Sequence, residues 1–153
     1  GSYPELLVAR EMVGTDPTRA AAVTDVETGW VNASWFGEQH PMQATGKYVA
    51  PSLLGVWATA PYLHNGSVPD LQGLLRSSER PIRWQRTGAG EADYDEARVG
   101  WKYTTPSGGD TTTIAGRRVY DTTRAGLGNS GHTYGDSLAD GDLADLLDYL
   151  KTL

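Results

Sequence analysis

Apolar positions recur at helical spacing most clearly at the C-terminal end of the chain. Leu143, Leu146, Leu147, Leu150 and Leu153 fall on one stripe, with Asp140, Asp142 and Asp145 leading and Lys151 trailing. That charge order complements the helix dipole, and Asp140 reads as the cap. Leu71, Leu74 and Leu75 make a shorter stripe; there Ser67 or Val68 begins a helix, Pro69 lies early in it and Pro81 closes it. Another helix is read from its start signal, Asp16 as cap and Pro17 as first helical residue, continuing from Arg19 to Val23 in a region that ends at Gly29. Residues 52–58 suggest a short helix stopped ahead of Pro61, because the residue before a proline avoids helical geometry. Residues 30–46, with Trp35, Phe36 and His40, read as an irregular loop. Residues 87–116 read as a long Gly-, Thr- and Asp-rich excursion, and two short strands are expected nearby, over 99–103 and 117–120.

Composition changes this picture in three ways. At 153 residues the chain reads as a single domain over 1–153, large enough for its own core, and its 19 Gly and 8 Pro imply much loop. Five Trp and eight Tyr against one Phe suit either a pocket with a few directed hydrogen bonds or the anchoring of a loop-rich core. A net charge of −6 without a basic run argues against nucleic acid and anionic membrane surfaces as partners, and no apolar run is long enough to span a bilayer. The absence of cysteine excludes disulfides, thiolate metal sites and cysteine nucleophiles within this sequence. There is neither an initiator Met nor a signal peptide, as in a mature, truncated or processed form, and Gly1-Ser2 is compatible with a cloning scar.

Four blocks carry a family resemblance. They are Val13-Gly14-Thr15-Asp16-Pro17-Thr18-Arg19-Ala20; the stretch YVAPSLLGVWATAPYLHNGSVPDLQGLL over 48–75; Tyr120-Asp121-Thr122 followed by Gly128-Asn129-Ser130-Gly131-His132-Thr133-Tyr134-Gly135; and the closing leucine helix. In this order they resemble the C-terminal haem domain of bacterial di-haem cytochrome c peroxidases and of the related rubber oxygenases. The resemblance implies a mostly α, cytochrome c-like fold with long loops, and a haem c held through a Cys-x-x-Cys-His motif that this chain lacks. Three explanations remain open: a fragment or separated chain cut just after the motif, near Gly1-Ser2-Tyr3-Pro4; a relative that has lost haem; and a relative that binds haem without covalent attachment.

The resemblance places a distal haem-iron ligand at His132, in a Gly-rich turn where small neighbours let the backbone approach a flat macrocycle. The alternative is a histidine that hydrogen-bonds within its turn. His64 and Asn65, in the Tyr62–Gly66 turn, are implied to lie at the haem edge, or else simply to hold the turn. Tyr62 and Trp57 complete the implied cofactor-binding set, Trp57 stacking near the haem or packing as core. A calcium ion held partly by the Thr59 and Pro61 carbonyls is a further implication, its other ligands coming from a second domain. Met42, beside His40 and Pro41, is an alternative soft axial ligand.

Other chemistries leave no motif: no His-x-x-x-His, no Gly-x-Ser-x-Gly elbow and no phosphate loop is present. The acidic stretch over 136–145 departs from the calcium-loop pattern. Asn32-Ala33-Ser34 and Asn65-Gly66-Ser67 match the glycosylation sequon. By resemblance the chain is expected to be an electron-transfer domain of an exported, periplasmic or secreted oxidoreductase. Its partners would be an upstream haem-bearing segment or second haem domain and a redox protein, and the peroxide or oxygen chemistry would occur at the other haem. The alternatives are a haem-less scaffold serving as a binding or structural module, with Trp and Tyr filling the haem slot, and a different metal enzyme in which His40, His64 and His132, or a subset with acids, converge.

Overall fold

The structure is a computed structural model that describes residues 6–24, 29–42 and 45–153. The expected join to an upstream motif at residues 1–4 lies outside them, while Gly29, expected to end the first helical region, instead opens a helix. The core is built by one short helix, one longer helix and the loop between them. Helix α5 (Leu71–Leu75) packs on α7 (Asp140–Leu150), burying Leu71 against Leu143, Leu147 and Leu150 together with Tyr62, Val68 and Val99. Leu146 and Leu153 of the predicted stripe flank this cluster. Removing nine largely or wholly buried apolar side chains from water is the main stabilising term here.

The start of α5 lies later than its stripe suggests. Its cap is Asp70, whose carboxylate accepts from the Gly73 N–H at 2.6 Å, so Pro69 precedes the helix and Ser67 does not cap it. Asp70 is buried and is held by Arg98 Nε at 2.9 Å, a pairing that offsets the cost of desolvating the carboxylate. Asp140 likewise does not cap α7: Ala139 occupies the cap position, and the Asp140 carboxylate accepts from Arg76 at 2.8 Å.

The rest of the chain overturns the mostly α expectation. The protein is 34% helical and 15% strand, with three small antiparallel sheets among the described residues. Strand β1 (Leu7–Ala9) pairs with β2 (Lys47–Val49). Between them run α1 (Arg10–Val13), α2 (Thr18–Thr24), α3 (Gly29–Asn32) and α4 (Trp35–Gln39). The last two replace the expected irregular loop, α4 being capped by the Ser34 hydroxyl on Gly37 N–H. Asp16 accepts from Thr18 N–H at 2.9 Å just ahead of α2, which begins at Thr18, so Pro17 precedes the helix and is not its first residue. Of residues 52–58 only 56–58 are helical, as a single 3₁₀ turn.

Beyond α5, β3 (Arg83–Arg86) is the central strand between β6 (Tyr103–Thr104) and β7 (Tyr120–Asp121). Strand β4 (Tyr94–Asp95) pairs with β5 (Gly100–Trp101). Helix α6 (Ile114–Arg117) occupies the start of the segment expected to be the second strand. Cross-strand side-chain pairs hold these short ladders. Trp84 stacks on Tyr120 with centroids 5.5 Å apart, and Arg83 pairs with Asp121 at 2.8 Å across the same register.

Candidate functional site

A cavity of about 730 Å³ opens where the β1–β2 pair meets the core. Tyr48 and Val49 form one wall, Tyr62, Leu63 and Leu74 another, and His64 and His132 both face it. Its volume lies in the range of small-molecule and cofactor sites, and its lining is mainly apolar.

His132 is positioned entirely by its backbone. The residue adopts φ 49°, unusual for a side chain with a Cβ. Its N–H donates to the Val13 carbonyl at 2.7 Å, and its carbonyl accepts from Arg80 Nη2 at 3.0 Å. The preceding Gly131 has φ 75°, and a Cβ there would lie 2.1 Å from the Gly14 carbonyl carbon. The small residues of this turn allow close docking of two backbones, 13–15 against 131–132. Tyr134 meets the His132 ring edge-on at 5.0 Å and donates its hydroxyl to Met12 O.

The His132 imidazole keeps one nitrogen unpartnered: its Nδ1 is buried and has no hydrogen-bond partner among the described residues. Burial holds its pKa below the ordinary value, with the Arg80 cation adding to that effect against an opposing backbone hydrogen bond. A neutral ring with an unshared nitrogen lone pair is the form that coordinates metals.

Sequence reasoning missed Arg80. Its guanidinium donates to five carbonyls, those of Gly73, Leu74, Asn129, Gly131 and His132, at 2.6–3.0 Å. Two of these are the otherwise unpaired carbonyls at the end of α5 and three lie on the His132 loop, so one side chain ties that loop to the core. Only the fixed fork of an arginine, with five donors, can serve so many acceptors.

The other expected residues divide. His64 stacks on Tyr48 at 5.4 Å and 27°, and its carbonyl accepts from Arg19 at 2.9 Å. Burial, and then the Arg19 charge, hold its pKa below the usual value against the opposing charge of Asp16. Tyr62 faces the cavity, while its hydroxyl is directed to the Val56 carbonyl at 3.0 Å; burial raises its pKa well above the ordinary phenol. Asn65 does not line the cavity: its amide donates to Gly126 O and Gly128 O, and its oxygen accepts from Ser67 N–H, a clasp that holds the turn. Trp57 lies elsewhere too, on a separate cavity of about 570 Å³ with Tyr94 and Trp101.

Met42 and His40 lie outside both cavities: Met42 is clasped by Asn32 through its backbone N–H and carbonyl, and His40 packs by Phe36. Thr59 and Pro61, implied for calcium, line the His132 cavity. Among the described residues no three His, Asp or Glu side chains converge as a metal cluster, which removes the three-histidine arrangement.

These residues fit a haem. A planar apolar group needs an apolar slot and one or two neutral nitrogen donors, not a cluster of acids, and the cavity offers the slot with His132 and His64 on its surface. Without cysteine, the chain itself supplies no thioether link.

Residues 46–85 match a family model described as RoxA-like, cytochrome c-like. That segment supplies β2, the Tyr62–Gly66 turn, α5, Arg80 and most of β3, and thus one side of the cavity. The chain is 38% identical to the uncharacterized protein y4iM of Sinorhizobium fredii (strain NBRC 101917 / NGR234) over 185 aligned residues, covering 92% of this chain and 41% of that protein. It is 35% identical to the uncharacterized protein y4iJ of the same organism over 125 residues, covering 75% of this chain and 19% of that protein. The chain thus spans well under half the length of either relative.

Proposed function

We propose that this chain forms the haem-binding, electron-transfer part of an exported di-haem cytochrome resembling the peroxidases and rubber oxygenases. The observation that carries the reading is the buried, partnerless Nδ1 of His132 beside an apolar cavity that also takes His64. The cytochrome c-like match over residues 46–85 supports it. When bound, the haem supplies one-electron transfer. His132 provides a neutral imidazole, and Arg80 and the Gly14–Gly131 contact fix where that ring stands. Tyr48, Leu63 and Leu74 exclude water from the slot.

On this reading the covalent link, where one exists, is contributed by an upstream haem-bearing segment. A second haem domain carries the peroxide or oxygen chemistry, a redox protein exchanges electrons with it, and the assembly works in the periplasm or outside the cell. The haem-less scaffold reading requires Trp and Tyr to fill the slot. No Trp lines the cavity, and the tyrosines that face it leave it open. The test is the visible spectrum of the protein purified natively together with its upstream sequence, oxidised and then dithionite-reduced. A Soret band with resolved α and β bands on reduction is expected, and a featureless visible region would overturn the reading.

A further inference from the structure

Beside β3 a third cavity, of about 620 Å³, gathers four arginines of an otherwise acidic chain. Arg86, Arg117, Arg118 and Arg124 all line it, and no Asp or Glu does. It shares no lining residue with the His132 cavity. The arginines come from three places: β3, the end of α6 with its cap residue, and the turn after β7. Strand pairing of β3 with β7 and the packing of α6 therefore create the cluster, which cannot be seen as a basic run in the sequence.

These guanidiniums are largely unspent. The side chains of Arg118 and Arg124 make no hydrogen bond or ion pair among the described residues, and Arg117 makes one long contact to its own helix, Nε to Thr113 O at 3.3 Å. Arg86 is fixed, its guanidinium lying 3.3 Å over the Trp101 ring, yet its Nε is buried with no partner. Of the nearby acids, Asp121 is engaged by Arg83 and Thr123 and Asp110 by Thr112 and Thr113, while Asp93, bonded to Thr87 and to Gly90 N–H, also feels the Arg86 charge from outside the lining. Four like charges held around one concavity are a site that a polyvalent anion completes. Guanidinium forks match carboxylate and phosphate oxygens two at a time.

We propose that this cavity binds a small polyvalent oxyanion, bearing phosphate or several carboxylates, independently of haem. The full chain would be titrated calorimetrically with inorganic pyrophosphate and with citrate, against sodium chloride at matched ionic strength. Saturable one-to-one binding of one or both is expected, and which of them binds tells phosphate from carboxylate. The double variant Arg118→Gln/Arg124→Gln removes two exposed side chains without structural bonds and should fold normally. It should weaken binding by about tenfold or more. Replacing both by Lys should restore only part, because charge is kept and the fork is lost. Binding of neither anion beyond the sodium chloride control, or equal affinity in the glutamine variant, would overturn the proposal.

Discussion

The segment over 60–101 together with α7 differs sharply from the segment over 6–50. In the former, Leu71 is 1% exposed, Val68 and Ser67 are fully buried, and Asp70 is satisfied by a cap and an ion pair. In the latter, Trp30 is 76% and Trp35 75% exposed, Met12 and Leu6 are also open, and short helices are joined mainly by local bonds. The His132 cavity has one wall from each. Its core wall is rigid by packing, whereas its outer wall is held by the β1–β2 pair, the Gly14–Gly131 contact, and hydroxyl bonds from Tyr48 to Asp16 O and Tyr134 to Met12 O. A ligand filling such a cavity stabilises the weaker wall most, and this couples cofactor binding to folding of the N-terminal segment.

The contrast is broken most severely at Arg80, which ties the His132 loop to the core. Arg80→Met should cost about 4 kcal/mol, because five part-buried carbonyls lose their donor at the end of α5 and on the His132 loop together. Urea unfolding would show it. Within the core alone, Leu71→Ala should cost about 3 kcal/mol by leaving a cavity in the α5–α7 contact, while leaving the cavity's outer wall as it was.

A smaller effect follows from the two histidines. Both have pKa values held below that of an unfolded histidine, so the unfolded chain binds more protons as pH falls through about 6.5. Stability should therefore rise with pH through that window and level off above it. The carboxylates whose pKa values are lowered, Asp16 and Asp121 among them, act in the opposite pH range, contributing stability that is lost only below about 4. Denaturation midpoints at several pH values, with His132→Gln flattening the slope, would check this. The smallest effect is expected at Trp35→Ser in the N-terminal segment, below about 0.5 kcal/mol because that ring is already in water.

Sequence made some of this legible for physical reasons. The α7 stripe could be read because it repeats with the helical period over three turns and is buried on one side only. The strands were legible only in part, β5 falling within the expected 99–103 and β7 starting at Tyr120, since most are two or three residues long and the order β6-β3-β7 joins positions 17 and more residues apart. Ser67 looked like a cap but is buried, giving its carbonyl to Trp84 and its N–H to Asn65, and Asp70, three residues on, took the role. Arg80 reads as an ordinary surface charge in Ser-Glu-Arg-Pro, and nothing local announces its carbonyls on a loop 49–52 residues away. His132 was marked by the resemblance; its support from Val13 and Gly14 is a long-range contact that no local pattern carries.

The central claim is that the cavity beside His132 takes a flat apolar macrocycle through that imidazole. Haemin titration of the protein, followed by the Soret band and by the thermal midpoint, tests it most directly. The account predicts one saturable site, a raised midpoint, and loss of the low-spin spectrum in His132→Ala with Trp57→Phe unaffected. A spectrum and midpoint that do not change on adding haemin, or that change identically in His132→Ala, would contradict it.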